Sequence, residues 1–277
     1  MSNRLIVCAL LGLVLLTGCA EGASTSGQAG DAATPGQAAS PAADKRRARE
    51  TLIATCMKQK GFSYVAYVRQ PKESELERRL NSGDYAAMKE TRAKYGFGVF
   101  ASVVYPTPEN ADKNADKDPN EAIAQALPSA QKKVYDQSVT TCYVSAVKQV
   151  FGLEIKSIRD FSNLTADAIE AVDKELNGDA ELVRLSGAFA DCLSSKGERV
   201  ASTRPLDLAA HGPQRWVTQL EGFKGKLSPE EARPYLTREI KAALDDLECG
   251  KDFYAVFSPM QARLRADAAA RFGFLPQ

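Results

Sequence analysis

Four cysteines, Cys56, Cys142, Cys192 and Cys249, lie far apart in residues 45–277, each within or at the end of a stretch with helical apolar spacing. Two bridges among them would tie distant helices together and exclude most ways of arranging the chain. Whether they pair depends on the compartment, and the N-terminus speaks to that. Residues 1–18 have the parts of an export signal: Arg4, an apolar core over 5–16, and small residues at its end. That core is shorter than the ~20 residues a membrane-spanning helix needs. An exported chain meets oxidising conditions, where an even number of separated cysteines reads as two structural bridges. A metal site is disfavoured, because no pair has Cys-x-x-Cys spacing and His211 is the single histidine.

Leu16-Thr17-Gly18-Cys19 resembles the lipobox of bacterial lipoproteins, in which the cysteine thiol receives a diacylglyceryl group and the signal is cut just before it. The resemblance implies that Cys19 is lipidated and opens the mature chain, held on the extracytoplasmic face of the cell membrane by two acyl chains. Cys8 would leave with the signal. Residues 20–44 are mostly Ala, Gly, Ser, Thr, Gln and Pro, with no apolar side chain larger than Ala. Such a segment cannot offset its ordering entropy and is expected to be a flexible tether. Lys and Arg number 36 against 35 Asp and Glu. That balance gives no electrostatic case for nucleic acid.

The remainder reads as two related halves, 45–165 and 166–277. "ATCMKQKGF" around Cys56 matches "ADCLSSKGE" around Cys192: Ala, any, Cys, apolar, two variable, Lys, Gly. Leu52, Ile53, Cys56 and Met57 make one helical face; Leu182, Leu185, Phe189, Cys192 and Leu193 make the other. Lys60-Gly61 and Lys196-Gly197 then end the helices, a cation against the dipole and a glycine free to turn left-handed. Cys142 and Cys249 fall within later helical patterns, the first with Tyr135, Val139 and Ala146, the second with Ile240, Leu244, Leu247, Tyr254 and Phe257. Pairing within each half, Cys56 with Cys142 and Cys192 with Cys249, is the simplest connectivity for a duplicated module. Four cysteines permit three connectivities, and the other two stay open.

"FSYVAYV" at 62–68 and "FGVFASVVY" at 97–105 are β-branched and aromatic, and predict a small antiparallel sheet. Short helices are expected around 214–220 and from Ser228, where "SPEE" supplies a cap and acidic residues for the first turn. The expected class is mainly α with a small antiparallel β element.

The order "CMKQKGFSY", "KYGFGVF", "DPNEAIAQALPSAQKKVYDQSV", a cysteine, "CLSSKG" and "LTREIKAALDDLEC" resembles a group of actinobacterial secreted or lipid-anchored proteins of unknown function. The resemblance implies fold and location and lends no active site. The second half departs from the pattern at Glu198, where an aromatic after the glycine would be usual.

Candidate chemistry is sparse. Ser145 and Lys148 have the Ser-x-x-Lys spacing of penicillin-binding enzymes, but no Lys-Thr-Gly strand accompanies them. His211, in "AAHGPQRW", reads as a loop residue with no nucleophile context. Asp112, Asn114, Asp116 and Asp118 alternate as in a calcium loop, yet Lys117 and Ile123 stand where such a loop has Gly and Glu. Lys45, Arg46, Arg47 and Arg49 form a basic start to the fold, read as a helix start before a charged-surface contact. Tyr64, Tyr67, Tyr95, Phe97, Phe100 and Tyr105 are dense enough for a glycan-stacking face, but are expected to pack the small sheet on the helices. No catalytic residue, metal or cofactor is assigned. The expected function is a lipid-anchored, non-catalytic binding or accessory module for an envelope protein or wall ligand. A transporter's solute-binding protein and an envelope hydrolase stand behind it.

Overall fold

The computed structural model describes residues 41–69, 73–105 and 117–274, all within one compact unit that begins at residue 39. The export signal, Cys19 and most of the tether lie outside the described residues. Eleven helices are described. They are α1 (Pro41–Gln59), α2 (Glu75–Asn81), α3 (Tyr85–Tyr95), α4 (Ala101–Val104), α5 (Pro119–Gln125) and α6 (Ser129–Phe151). The second half of the chain adds α7 (Ile158–Gly178), α8 (Ala180–Ser195), α9 (Pro205–Glu221), α10 (Pro229–Cys249) and α11 (Lys251–Phe272). Among them, none is long and apolar enough to cross a membrane.

Two helix pairs carry the bridges. α1 packs along α6 around Ile53, Met57, Tyr135 and Ala146, and Cys56 is bonded to Cys142 with Cα atoms 5.7 Å apart. α8 meets α10, and Cys192 is bonded to Cys249 at 5.4 Å. α11 lies along α7, α1 and α8, and joins the largest apolar cluster, built on Leu176, Leu182, Phe189, Leu193, Leu247 and Phe253. α7 runs unbroken through residues 165 and 166.

The repeated Lys-Gly signals end their helices by one geometry. Gly61 and Gly197 adopt φ of 81° and 86°. Phe62 N–H donates to Met57 C=O and Glu198 N–H to Leu193 C=O, each at 3.0 Å, while each glycine N–H bonds three residues back. Both are Schellman ends, in which a left-handed glycine lets the chain satisfy the last carbonyls. The cysteines of the later helices differ in position: Cys142 is inside α6, but Cys249 closes α10. The helix breaks at Gly250, where a Cβ would lie 2.7 Å from the Tyr254 ring and 2.9 Å from that of Phe189.

No strand occurs among the described residues, so the small antiparallel sheet is corrected. Over 62–68 the chain is irregular, and a side chain does the work of a partner strand. Asn120 accepts from Val65 N–H at 2.8 Å and donates to Val65 C=O at 2.9 Å, while Tyr64 Oη donates to Glu50 at 2.9 Å. Asn120→Ala would leave both Val65 groups without these bonds and is expected to lower stability by about 2 kcal/mol, read from urea denaturation. An unchanged midpoint would mean that water serves Val65 as well.

The second expected strand, 97–105, is a pair of turns leading into α4. Gly96 and Gly98 have φ of 62° and 93°, values an extended strand does not use. The tether prediction also stops short of 44: Pro41 opens α1, and Ala42 and Ala43 are buried. Proline suits a first turn and alanine is the strongest helix former, so composition alone misled there.

Candidate functional site

A cleft of about 250 Å³ lies between the end of α8, the middle of α9 and one side of α10. The helix period assembles it. On α9, His211 with Arg215 and Gly212 with Trp216 are four residues apart; on α10, Arg238, Ala242 and Asp246 form a stripe. Leu193, Lys196 and Glu198 come from the end of α8 and its Schellman turn. In the first half the residue after the glycine is Phe62, which packs edge-on against Tyr135 with ring centroids 5.4 Å apart. In the second half that place is taken by Glu198, paired with Arg215. The point at which the repeat departs from its pattern is therefore at the cleft.

At the floor, Asp246 is 3% exposed. Its Oδ1 accepts from Arg92 of α3 and from Tyr254 Oη, the latter at 2.9 Å. Arg92 also donates to the Ala243 carbonyl at 2.9 Å and lies 4.7 Å from the Tyr254 ring centroid and 5.4 Å from that of Phe97. Burial works against the Arg92 charge, but Tyr254 and Asp246 more than offset it and hold the guanidinium above its ordinary value. Burial pushes the Asp246 carboxyl up, with Arg92 opposing it. Burial, then the Asp246 charge, pushes the Tyr254 phenol well above its usual range.

Three residues of the lining each have a buried polar atom without a hydrogen-bond partner among the described residues: Asp246 Oδ2, Trp216 Nε1 and His211 Nε2. Each of these atoms is closed to solvent, and they belong to residues packed behind the cleft surface. All but one of the rim cations are paired, Arg215 with Glu198 among them. Lys196 bonds Asp245 at 2.9 Å and Glu248 at 3.0 Å, and Lys241 bonds Asp245 at 2.8 Å. These bonds, Lys241 first and Lys196 next, hold the Asp245 carboxyl below its ordinary value. Arg238 lies over the Tyr235 ring at 4.6 Å and has no carboxylate partner among the described residues. The cleft lining contains no Ser, Thr or Cys among the described residues, and no group of three metal-binding side chains occurs among them.

One wall of the cleft is Phe97, whose loop is fastened from behind. Glu239, fully buried on α10, accepts from Val99 N–H at 2.9 Å and Phe100 N–H at 2.8 Å. Successive backbone N–H groups around a carboxylate form an anion nest, filled here by the chain's own side chain. Gly212 lets Phe97 approach, since a Cβ there would lie 2.3 Å from the ring.

His211, expected in a loop, is in the middle of α9, which runs through both Gly212 and Pro213. Those two residues signal a break, at a cost of about 1 kcal/mol for Gly and 3 kcal/mol for Pro in a helix interior. The packing of Trp216, Leu208 and Phe97 keeps the helix intact.

The other candidates disperse. Ser145 and Lys148 are exposed on α6, the serine accepting from Gln149 and the lysine paired with Glu154 at 2.6 Å. Asp112, Asn114 and Asp116 lie outside the described residues, and Asp118 caps α5 by accepting from Asn120 N–H. Of the basic start, Arg47 is exposed, Lys45 lies over the Phe151 ring, Arg46 donates to the Phe274 carbonyl, and Arg49 bonds Glu50. Arg46 and Arg49 line a second cleft of about 430 Å³ with Arg69 and Tyr67. Burial, then neighbouring Arg49, lowers the Arg46 guanidinium. The six aromatics share no face: Phe100 is buried against Trp216 and Tyr235, Tyr95 meets Tyr105, and Tyr64 faces Glu50.

Compared with protein-family models, curated proteins and solved structures, the chain matches none.

Proposed function

We propose that this protein is a lipid-anchored binding module of the cell envelope, tethered through Cys19 and taking a small ligand in the cleft between α8, α9 and α10. The observation that carries the reading is a cleft of about 250 Å³ at which three helices bring aromatic, cationic and acidic side chains together, Arg238 among them without a carboxylate partner among the described residues. The resemblance of the sequence to actinobacterial lipid-anchored proteins supports the location. A binding role is favoured over hydrolysis because the acidic side chains of the lining are committed: Glu198 to Arg215, Asp245 to two lysines, Asp246 to Arg92. Acid-base hydrolysis needs carboxyls free to exchange protons with substrate and water. Transporter solute-binding proteins usually have two α/β lobes, and no strand accompanies the helices among the described residues.

The chain holds one tryptophan, Trp216, so its fluorescence reports on the cleft alone. A small-molecule extract of envelope is expected to change that emission saturably, and Ala242→Leu, which fills the cleft without touching its polar floor, to abolish the change. A folded domain whose emission no extract alters would overturn the binding reading. The anchor has a separate test. Cys19→Ser is expected to leave an unlipidated, uncleaved precursor, as read by intact mass; a variant still processed like wild type would overturn the anchor.

A further inference from the structure

We propose that the cleft of about 430 Å³ between α1, α7 and residues 67–69 is a second binding site, and that it takes a phosphate-bearing ligand. It shares no lining residue with the cleft between α8, α9 and α10, so neither reading depends on the other. Its lining holds three arginines, Arg46, Arg49 and Arg69, and no Asp or Glu. The first cleft differs, since Glu198, Asp245 and Asp246 stand among its cations.

Arg46 carries the argument. It is 9% exposed, and no carboxylate pairs with it among the described residues. Its Nη1 donates to the Phe274 carbonyl at 3.0 Å, Nε is closed to solvent, and Nη2 has no partner among the described residues and is not closed off. The carbonyl lies just past the C-terminus of α11, and that helix end offers about half a negative charge. Burial, and then the like charge of Arg49 one turn along α1, work against the guanidinium. Arg49 brings no spare acid with it. Its Nε and Nη2 bond Glu50 Oε1 at 3.0 and 2.9 Å, and Tyr64 Oη donates to Oε2 at 2.9 Å, so both Glu50 oxygens are engaged. A buried charge without its counter-charge is costly, and an anion in the cleft removes that deficit.

The donors around the cleft select among anions. Arg46 comes from α1, while Arg69 and Tyr67, whose Oη has no hydrogen-bond partner among the described residues, come from the irregular segment after it. A carboxylate sets two oxygens in one plane and suits a single guanidinium. Phosphate spreads up to two charges over oxygens that point several ways, and can meet groups from both segments at once. An apolar or neutral occupant leaves the charge unmatched, and a cation meets three guanidiniums. The volume is within the ~300–1,000 Å³ of small-molecule pockets, enough for a phosphate ester as well as the free ion.

The test is calorimetry on the full chain purified in a nonionic detergent, titrated with inorganic phosphate, glycerol 3-phosphate and monomeric dihexanoyl phosphatidylglycerol. Acetate and chloride at matched ionic strength are the comparisons. At least one phosphate-bearing probe is expected to bind saturably, and the comparisons at least tenfold more weakly. Binding of free phosphate or glycerol 3-phosphate marks a water-soluble ligand; binding of phosphatidylglycerol alone marks a lipid headgroup. Thr165→Glu sets a carboxylate on the α7 wall and is expected to weaken binding at least tenfold. Because it supplies the counter-charge, its Tm without any probe should exceed that of Thr165→Gln, which has the same shape and no charge. Arg46→Gln is expected to lose at least tenfold in affinity with helical circular dichroism intact; should it fail to fold, the two Thr165 variants carry the test. The inference is overturned if no phosphate-bearing probe binds, or if acetate binds as tightly. Phosphate binding that shifts Trp216 emission and survives Thr165→Glu belongs to the other cleft and overturns it too.

Discussion

Replacing Cys192 and Cys249 together by alanine is expected to lower the free energy of unfolding by about 4 kcal/mol, and the same change at Cys56 and Cys142 by slightly more. The figures follow from the loops the bridges close, 57 and 86 residues apart in sequence, which deny the unfolded chain a large part of its freedom. The native side offers little to oppose this: Cα separations of 5.4 and 5.7 Å are ordinary for bridged cysteines. The two losses should differ in their effect on the cleft. Cys192 precedes Lys196 by one turn on α8, and Cys249 follows Asp246 by three residues on α10, so that bridge fixes the spacing of two cleft walls. The Cys192/Cys249 substitutions should therefore weaken any binding in the cleft as well as stability, and the Cys56/Cys142 substitutions should cost stability alone. Urea denaturation of both variants beside oxidised and reduced wild type checks the magnitudes. A midpoint equal to that of the oxidised wild type would show that the bridges add nothing to stability.

The helices were legible where local signals and packing agree. Ser228-Pro229-Glu230-Glu231 forms the capping box its sequence announces, and both Lys-Gly signals end a helix. The strands were misread for a reason particular to this chain. β-branched and aromatic residues fit any half-buried surface, and propensity yields to tertiary context. Here Val65 takes its hydrogen bonds from a distant asparagine, and Phe100 packs against Tyr235 and Trp216 from two other helices. Neither partner can be read from the segment itself.

Less of the cleft was visible. His211 stood beside Gly212 and Pro213, the strongest local break signals, and only the four-residue spacing of His211 with Arg215 and Gly212 with Trp216 argued for one helical face. The departure at Glu198 was visible as a missing aromatic, yet nothing local tied it to Arg215, 17 residues on. Arg92 was out of reach, because its partners Ala243 and Asp246 lie about 150 residues away in sequence.

Glu239→Ala is expected to cost about 3 kcal/mol, the loss of two charge-assisted hydrogen bonds offset by relief of a buried carboxylate. Val99 and Phe100 N–H groups would be left facing an apolar void where α4 begins, and the loop carrying Phe97 would lose its fastening to α10. Gly96 cannot absorb the change, since its φ of 62° brings it within 2.8 Å, at the place of a Cβ, of the Glu239 side chain it was shaped around. Glu239→Gln separates charge from shape. Its amide oxygen serves one N–H while its NH2 opposes the other, so about 1–2 kcal/mol should go. Burial holds the Glu239 carboxyl above its ordinary value, with the N–H groups of Phe100 and Val99 pulling the other way. Between the unfolded and the raised folded value, the folded chain keeps a proton the unfolded chain has released. Stability from this group is then fullest at acid pH and falls as pH rises through that window. The glutamine variant lacks this component, and other carboxylates cancel in the comparison, so its deficit against wild type should narrow as pH rises. Urea titrations from pH 4 to 8 would read it. A deficit that widened toward neutrality would mean that the ionised carboxylate is the form the N–H nest stabilises more than burial penalises.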